Sequence, residues 1–185
     1  AAYGGSAISD TVASIERRLG RSPIKRRLFD EASAAGTIRQ QPMLPLFLQG
    51  IRSFVNLPLI RRSAPQTVLR IVGALPSRQV RQLADMPGVV VTGRVPDVRS
   101  YLDDAAVAVV PLRIARGIQN KILEAMAVGV PVVTTSQAAR GVEATPGRHF
   151  LSADTPEQFA GQVLELLNNP SRCRALTEAA RQHVE

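Results

Sequence analysis

Lys121 and Glu124 stand three residues apart near the start of a segment, GIQNKILEAMAVG (117–129), that reads as a buried helix. Ile118, Ile122, Ala125 and Met126 recur at helical spacing and can face a core. Asn120 and Glu124 are four apart, so with Lys121 they can share one face. The first amides of a helix have no intrahelical partners, and the helix dipole places partial positive charge there. A phosphate suits that position, and a lysine beside it adds a full charge. A carboxylate can accept both hydroxyls of a ribose. Together these groups could hold a nucleotide with its phosphates at the helix start. The plain alternative is an ordinary surface pair worth roughly a few tenths of a kcal/mol.

Such a helix needs a frame, and the chain supplies one from about residue 66. TVLRIVGA (67–74), GVVVTGRV (88–95), AVAVVPL (106–112), PVVTTS (131–136) and RHFLSA (148–153) read as strands. SRQVRQLADM (77–86) reads as a helix with Val80, Leu83 and Ala84 inward. DVRSYLDDA (97–105) is a helix with Asp97 as a cap. Gly129 suits the stop of the 117–129 helix. TPEQFAGQVLELLNN (155–169) carries Phe159, Val163, Leu166 and Leu167 on one stripe, Asp154 and Thr155 can cap it, and SRCRALTEAARQHVE (171–185) follows. Continuous apolar strands are buried on both faces. Strands alternating with helices imply right-handed βαβ units. The expected fold is therefore α/β, a Rossmann-like three-layer domain with a mostly parallel sheet over residues 46–185. Ligands in such sheets sit at the carboxyl ends of the strands, where the 117–129 helix begins.

Residues 1–45 read as a helical, basic N-terminal segment of unclear role, with helices over 9–20 and 22–36. QQPMLPLFLQG (40–50) reads as a strand, and IRSFVNLPLIRRSAP (51–65) as a helix interrupted by Pro58. The net charge is +8, and residues 1–65 hold 10 Lys and Arg against 4 Asp and Glu. That excess fits a solvated basic face or contact with anionic lipid. Aromatic residues are only 4%, too few for base stacking along a strand, so no nucleic-acid partner is expected. The single cysteine, Cys173, excludes an internal disulfide and reads as a half-buried helix residue. His149 and His183 lie far from it in sequence, and no zinc site is expected. The opening AAYGGSAISD lacks the layout of a signal peptide, and no run of 18 apolar residues occurs. The expected location is cytoplasmic, peripheral at the inner membrane face.

GIQNKILEAMAVGVPVV (117–133) resembles the donor-site helix of GT-B glycosyltransferases of family 4, the glycogen-synthase-like superfamily, which carry E-A-M-A-x-G-x-P-V-V. RIVG (70–73), VTGRVPDVRSYL (91–102) and VVPLR (109–113) agree with that family in order, and the nearest subgroup is the sugar transferases of exopolysaccharide clusters. The resemblance implies transfer of a sugar from a nucleotide diphosphate sugar to a saccharide or lipid-linked acceptor. It implies that Glu124 bonds the ribose and Lys121 neutralises the diphosphate as the glycosidic bond breaks. It also implies that the backbone of Gly117, Gln119 and Asn120 lies near the phosphates or sugar, that Gly93, Arg94 and Val95 lie against the base, and that Arg113 and Arg116 assist. No metal and no further cofactor is implied.

The chain departs from that family in three places. Arg116 stands eight residues before Glu124, where the family carries a second glutamate. Sixty-five residues before the donor domain are too few for the acceptor domain, so a separate chain supplying that half is an expected partner. FLQG (47–50) runs almost directly into IRSFVNLPLIRR, without the usual loop. These departures favour the alternative reading, a non-catalytic nucleotide-binding module, partner subunit or remnant. A sugar-nucleotide epimerase of the same architecture stands below both.

Overall fold

The computed structural model describes residues 55–115 and 117–184. The helices expected over 9–20 and 22–36, the strand over 40–50 and Arg116 lie outside the described residues.

Pro58 does not interrupt a helix; it begins one. Helix α1 (Leu57–Ser63) carries Pro58 in its first turn, where a missing N–H costs nothing. It buries Leu57 and Ile60. Strands β1 (Leu69–Val72) and β2 (Val89–Gly93) pair in parallel, with Leu69 opposite Val89 and Ile71 opposite Val91. Between them lies α2 (Arg78–Gln82), capped by Ser77, whose hydroxyl accepts from Val80 N at 3.3 Å. Val80 and Leu83 turn inward as expected, whereas Ala84 is exposed, because the chain tightens to a 3-10 turn at Leu83–Asp85. That turn rotates Ala84 off the α-helical stripe.

After α3 (Arg99–Asp103), β3 (Ala108–Val110) leads through a loop to α4 (Asn120–Val128). The chain returns as β4 (Val132–Thr134), turns through α5 (Ser136–Ala139), and adds β5 (Leu151–Ser152). Two long helices close the fold, α6 (Pro156–Asn168) and α7 (Pro170–Val184). Strands β3, β4 and β5 pair in parallel in that order. The described strands thus form two parallel sheets, β1–β2 and β3–β4–β5.

The layering follows from the two-residue period of a strand. In β4, Val132 faces one core with Ile122, Ala125 and Met126 of α4 and Ala180 and Val184 of α7. Its neighbour Val133 faces the opposite core with Ile60 of α1, Phe159, Val163 and Leu166 of α6, and Leu176. Leu69 of β1 and Val109 of β3 pack against that second core, which joins the two sheets. The result is the expected α/β, Rossmann-like three-layer arrangement.

The expectation of burial on both faces holds for β4 and fails for β1–β2. Helices α1 and α2 cover Leu69, Ile71, Val89 and Val91, but Val68 and Val90 on the other face remain 50% and 46% exposed. Helix α3 buries none of its residues, and Tyr101 and Leu102 on it are only half-buried.

Thr155 caps α6 as expected, its hydroxyl accepting from Gln158 N at 3.3 Å. Asp154 does not share the task. Its carboxylate accepts from Ser136 N at 2.9 Å and from the Ser136 hydroxyl, and so ties the start of α5 to the end of β5. Asp97 stands one residue before the N-cap, Val98, which makes no side-chain cap bond; its carboxylate accepts from Arg99 N at 2.9 Å.

Candidate functional site

The loop from Pro111 to Gln119 leaves the carboxyl end of β3 and delivers α4. In a parallel sheet this is the end where ligands bind. Gly117 takes a left-handed conformation with φ 66°, which sets the loop's last bend. Gln119 stands at the N-cap without a side-chain cap bond, and Ile122 N donates to its carbonyl at 2.9 Å. At the other end α4 is closed by Gly129 at φ 88°. Val130 N donates to Ala125 O at 2.9 Å and Gly129 N to Met126 O at 3.1 Å, the paired bonds of a Schellman stop. Ile122, Ala125 and Met126 are fully buried, which fixes the rotation of the helix and puts the polar face outward.

On that face Lys121 Nζ donates to Gln119 Oε1 at 3.2 Å, and Gln119 Nε2 donates to Gly117 O at 3.4 Å. The lysine is therefore folded back over the loop. Lys121 keeps an exposed surface and Glu124 is half-buried. Protein still crowds both groups enough for lost hydration to dominate their titration. Desolvation holds the Lys121 ammonium below its ordinary pKa, against the opposing pull of Glu124. Desolvation likewise pushes the Glu124 carboxyl up, against the opposing effect of Lys121. Asn120 is the exposed first residue of α4. Gly117, Gln119, Asn120, Lys121 and Glu124 are thus brought together, with Arg113 exposed on the approaching loop.

Gly93, Arg94 and Val95 lie at and just beyond the carboxyl end of β2, in the other sheet. Gly93 has φ 71° and its carbonyl accepts from the Thr92 hydroxyl at 3.0 Å. Among the described residues no group of three His, Cys, Asp or Glu gathers to a metal-binding cluster.

Sequence reasoning passed over the segment that backs this loop. Thr134 and Thr135 are buried, and their hydroxyls donate to Val110 O at 3.1 Å and to Leu112 O. Gln137 Nε2 donates to Ala115 O at 3.3 Å. Gly141 approaches the Gly117 carbonyl so closely that a Cβ there would lie 3.1 Å from its oxygen. Thr135 also caps α5, accepting from Ala138 N at 3.1 Å. The threonine before S-Q-A-A was the available signal for that helix.

His149 has two partners. It is 6% exposed, its Nδ1 accepts from Thr145 N at 3.0 Å, and its ring stacks on His183 at 4.3 Å. The His183 Nε2 in turn bonds the Glu143 carbonyl. These contacts pin the last turns of α7 to the loop before β5.

Solved structures share this fold at low sequence identity. A TarM mutant from S. aureus, determined with fondaparinux, α-GlcNAc-glycerol and UDP, superposes with TM-score 0.63 and 17% identity, covering 79% of this chain and 30% of that one. Anabaena Alr3699/HepE with UDP and glucose gives TM-score 0.60 and 14% identity, covering 91% and 49%. A C-terminal domain of the group 1 glycosyl transferase LpcC from Francisella tularensis gives 0.57 and 13%, covering 80% of each chain. The chain therefore spans less than half of the two larger proteins. No curated protein sequence matches it. The parallel sheets and these likenesses show a Rossmann-like fold of the kind those structures share. The profile of the family described as glycosyl transferases group 1 matches residues 48–169, two thirds of the chain, and the chain belongs to that family.

Proposed function

We propose that this chain is the donor-binding half of a glycosyltransferase that moves a hexose-like sugar from a nucleotide diphosphate sugar to a saccharide or lipid-linked acceptor in polysaccharide biosynthesis. The observation that carries the reading is the placement of Lys121, Glu124 and the open first turn of α4 at the carboxyl end of β3. In this reading the amides around Gly117 to Asn120 and the Lys121 ammonium receive the diphosphate, whose charge grows as the glycosidic bond breaks. Glu124 accepts the ribose hydroxyls. Arg116 adds charge from the loop, and Gly93 to Val95 flank the base. The TarM and HepE structures, both holding UDP, support a uridine nucleotide as the first to test. The basic excess in residues 1–65 supports work at an anionic membrane face, in the cytoplasm.

One observation favours a second reading. The chain spans 30% of TarM and 49% of HepE, so a second chain or domain must bring acceptor contacts for turnover to follow. Without it the chain is a nucleotide-binding module. Calorimetric titration with UDP, GDP and ADP tests both readings, with Glu124→Ala as the control. Binding that disappears in the variant supports the donor site. A folded chain that binds none of the three rules it out.

A further inference from the structure

We propose that Gln137 and Gly141 are positioning residues that hold the 113–119 loop in its binding shape. The proposal rests on the donor-site reading and names what keeps that site open. Among the described residues the loop pairs with no strand. What it has is a row of contacts to one continuous segment, in matching order. Thr134 meets Val110, Thr135 meets Leu112, Gln137 meets Ala115 and Gly141 meets Gly117. The first two are buried side chains that anchor the root of the loop. The last two lie beside the residues that would touch a ligand.

The contacts hold the loop by its backbone. A Cβ on Gly141 would lie 3.1 Å from Gly117 O and 3.3 Å from Gly117 C, so the Gly117–Ile118 peptide lies side-on against Gly141. The Gly117 carbonyl accepts from Gln119 Nε2 at 3.4 Å. The bond from Gln137 holds the Ala115 carbonyl. Gly141 is not in the left-handed region, so alanine suits its backbone. What alanine would disturb is the loop: its Cβ would lie 3.3 Å from both Gly117 C and Ile118 Cα. The glycine is required by closeness, not by conformation.

The experiment uses the full chain and its Gln137→Glu, Gln137→Ala and Gly141→Ala variants. Glutamate keeps the size of Gln137 and removes its N–H donor. Three quantities are read: the melting midpoint, the rate of tryptic cleavage after Arg113, and UDP affinity by calorimetry. Gly161→Ala, in α6 and remote from the loop, is the reference variant. The expected result is cleavage several-fold faster and UDP affinity about tenfold weaker in the Gln137 variants, as for one lost hydrogen bond. The melting midpoint should stay near that of the parent. Unchanged cleavage and unchanged affinity in chains that are folded would overturn the proposal. A parent chain that binds none of UDP, GDP and ADP would refute the donor-site reading. Cleavage after Arg113 would then decide on its own whether the segment positions the loop.

Discussion

Lys121 and Glu124 lie one turn apart on α4, yet Lys121 Nζ reaches back to Gln119 Oε1 at 3.2 Å, and among the described residues no ion pair joins the two. The ordinary reading of their spacing, a surface salt bridge, is therefore not what the molecule does. Each group loses hydration, and among the described residues no ion pair compensates either of them. That is a poor arrangement for stability and a suitable one for a site that awaits a ligand.

The first prediction concerns Glu124. Its folded-state pKa is raised, so its contribution to stability is fullest below the unfolded value and is lost as pH rises through the folded value. At neutral pH the charge opposes folding. Glu124→Gln should leave the melting midpoint unchanged or higher while nucleotide binding falls at least tenfold, as for a lost hydrogen bond to a charged group. Thermal melts and calorimetry on the same preparation check both halves. A lower midpoint with intact binding would refute the donor role.

A second prediction follows from Lys121. Its pKa is held down in the free protein by desolvation. A diphosphate placed beside it would favour the charged form and raise that pKa. Binding should therefore take up protons at alkaline pH, and affinity should fall as pH rises through the free-state pKa. Calorimetry in two buffers of different ionisation enthalpy measures the uptake. Lys121→Met should abolish it.

His149 gives a third. Burial, His183 and Arg148 hold its pKa below the ordinary value. The neutral ring contributes stability that is present above the unfolded pKa, near 6.5, and is lost as pH falls below it. Protonation would also remove the acceptor that receives Thr145 N. His149→Asn should flatten the dependence of the melting midpoint on pH between about 7 and 5, in the range set by the unfolded pKa.

Two glycines on helices should respond oppositely to alanine. Gly161 lies exposed within α6 with open space where a Cβ would go, so Gly161→Ala should stabilise by about 0.5–1 kcal/mol. Gly129 has φ 88°, and a Cβ there would meet Arg181 Cδ at 3.2 Å, so Gly129→Ala should destabilise by about 1–2 kcal/mol. Denaturant unfolding of both variants gives the two signs.

The legible parts of the fold were those written in local chemistry. β-branched runs marked four of the five strands, the apolar Phe150 and Leu151 marked the fifth, and Gly129 marked the end of α4 where a left-handed residue was needed. Pro58 was misread because proline is equally at home in a first turn and disruptive in a middle one, and only the buried Leu57 and Ile60 show which turn it occupies. The stacking partner of His149 was illegible because His183 is 34 residues away. The open face beneath Val68 and Val90 was illegible for the opposite reason. Apolar strands announce that they can be covered, and what covers them depends on other elements of the chain. The site helix was visible in GIQNKILEAMAVG, but the segment that backs it was not. Thr134, Thr135, Gln137 and Gly141 act through carbonyls, which carry no sequence signature.

The paired order of those contacts has a consequence for how this region can change in length. Residues 134, 135, 137 and 141 meet residues 110, 112, 115 and 117, so the two segments advance together. Substitutions can be absorbed one position at a time. A single-residue insertion or deletion between Leu112 and Gly117 cannot, because it would shift the later contacts past their partners at once. Unlike most surface loops, this one should tolerate changes of identity and resist changes of length, unless the 134–141 segment gains or loses a residue with it.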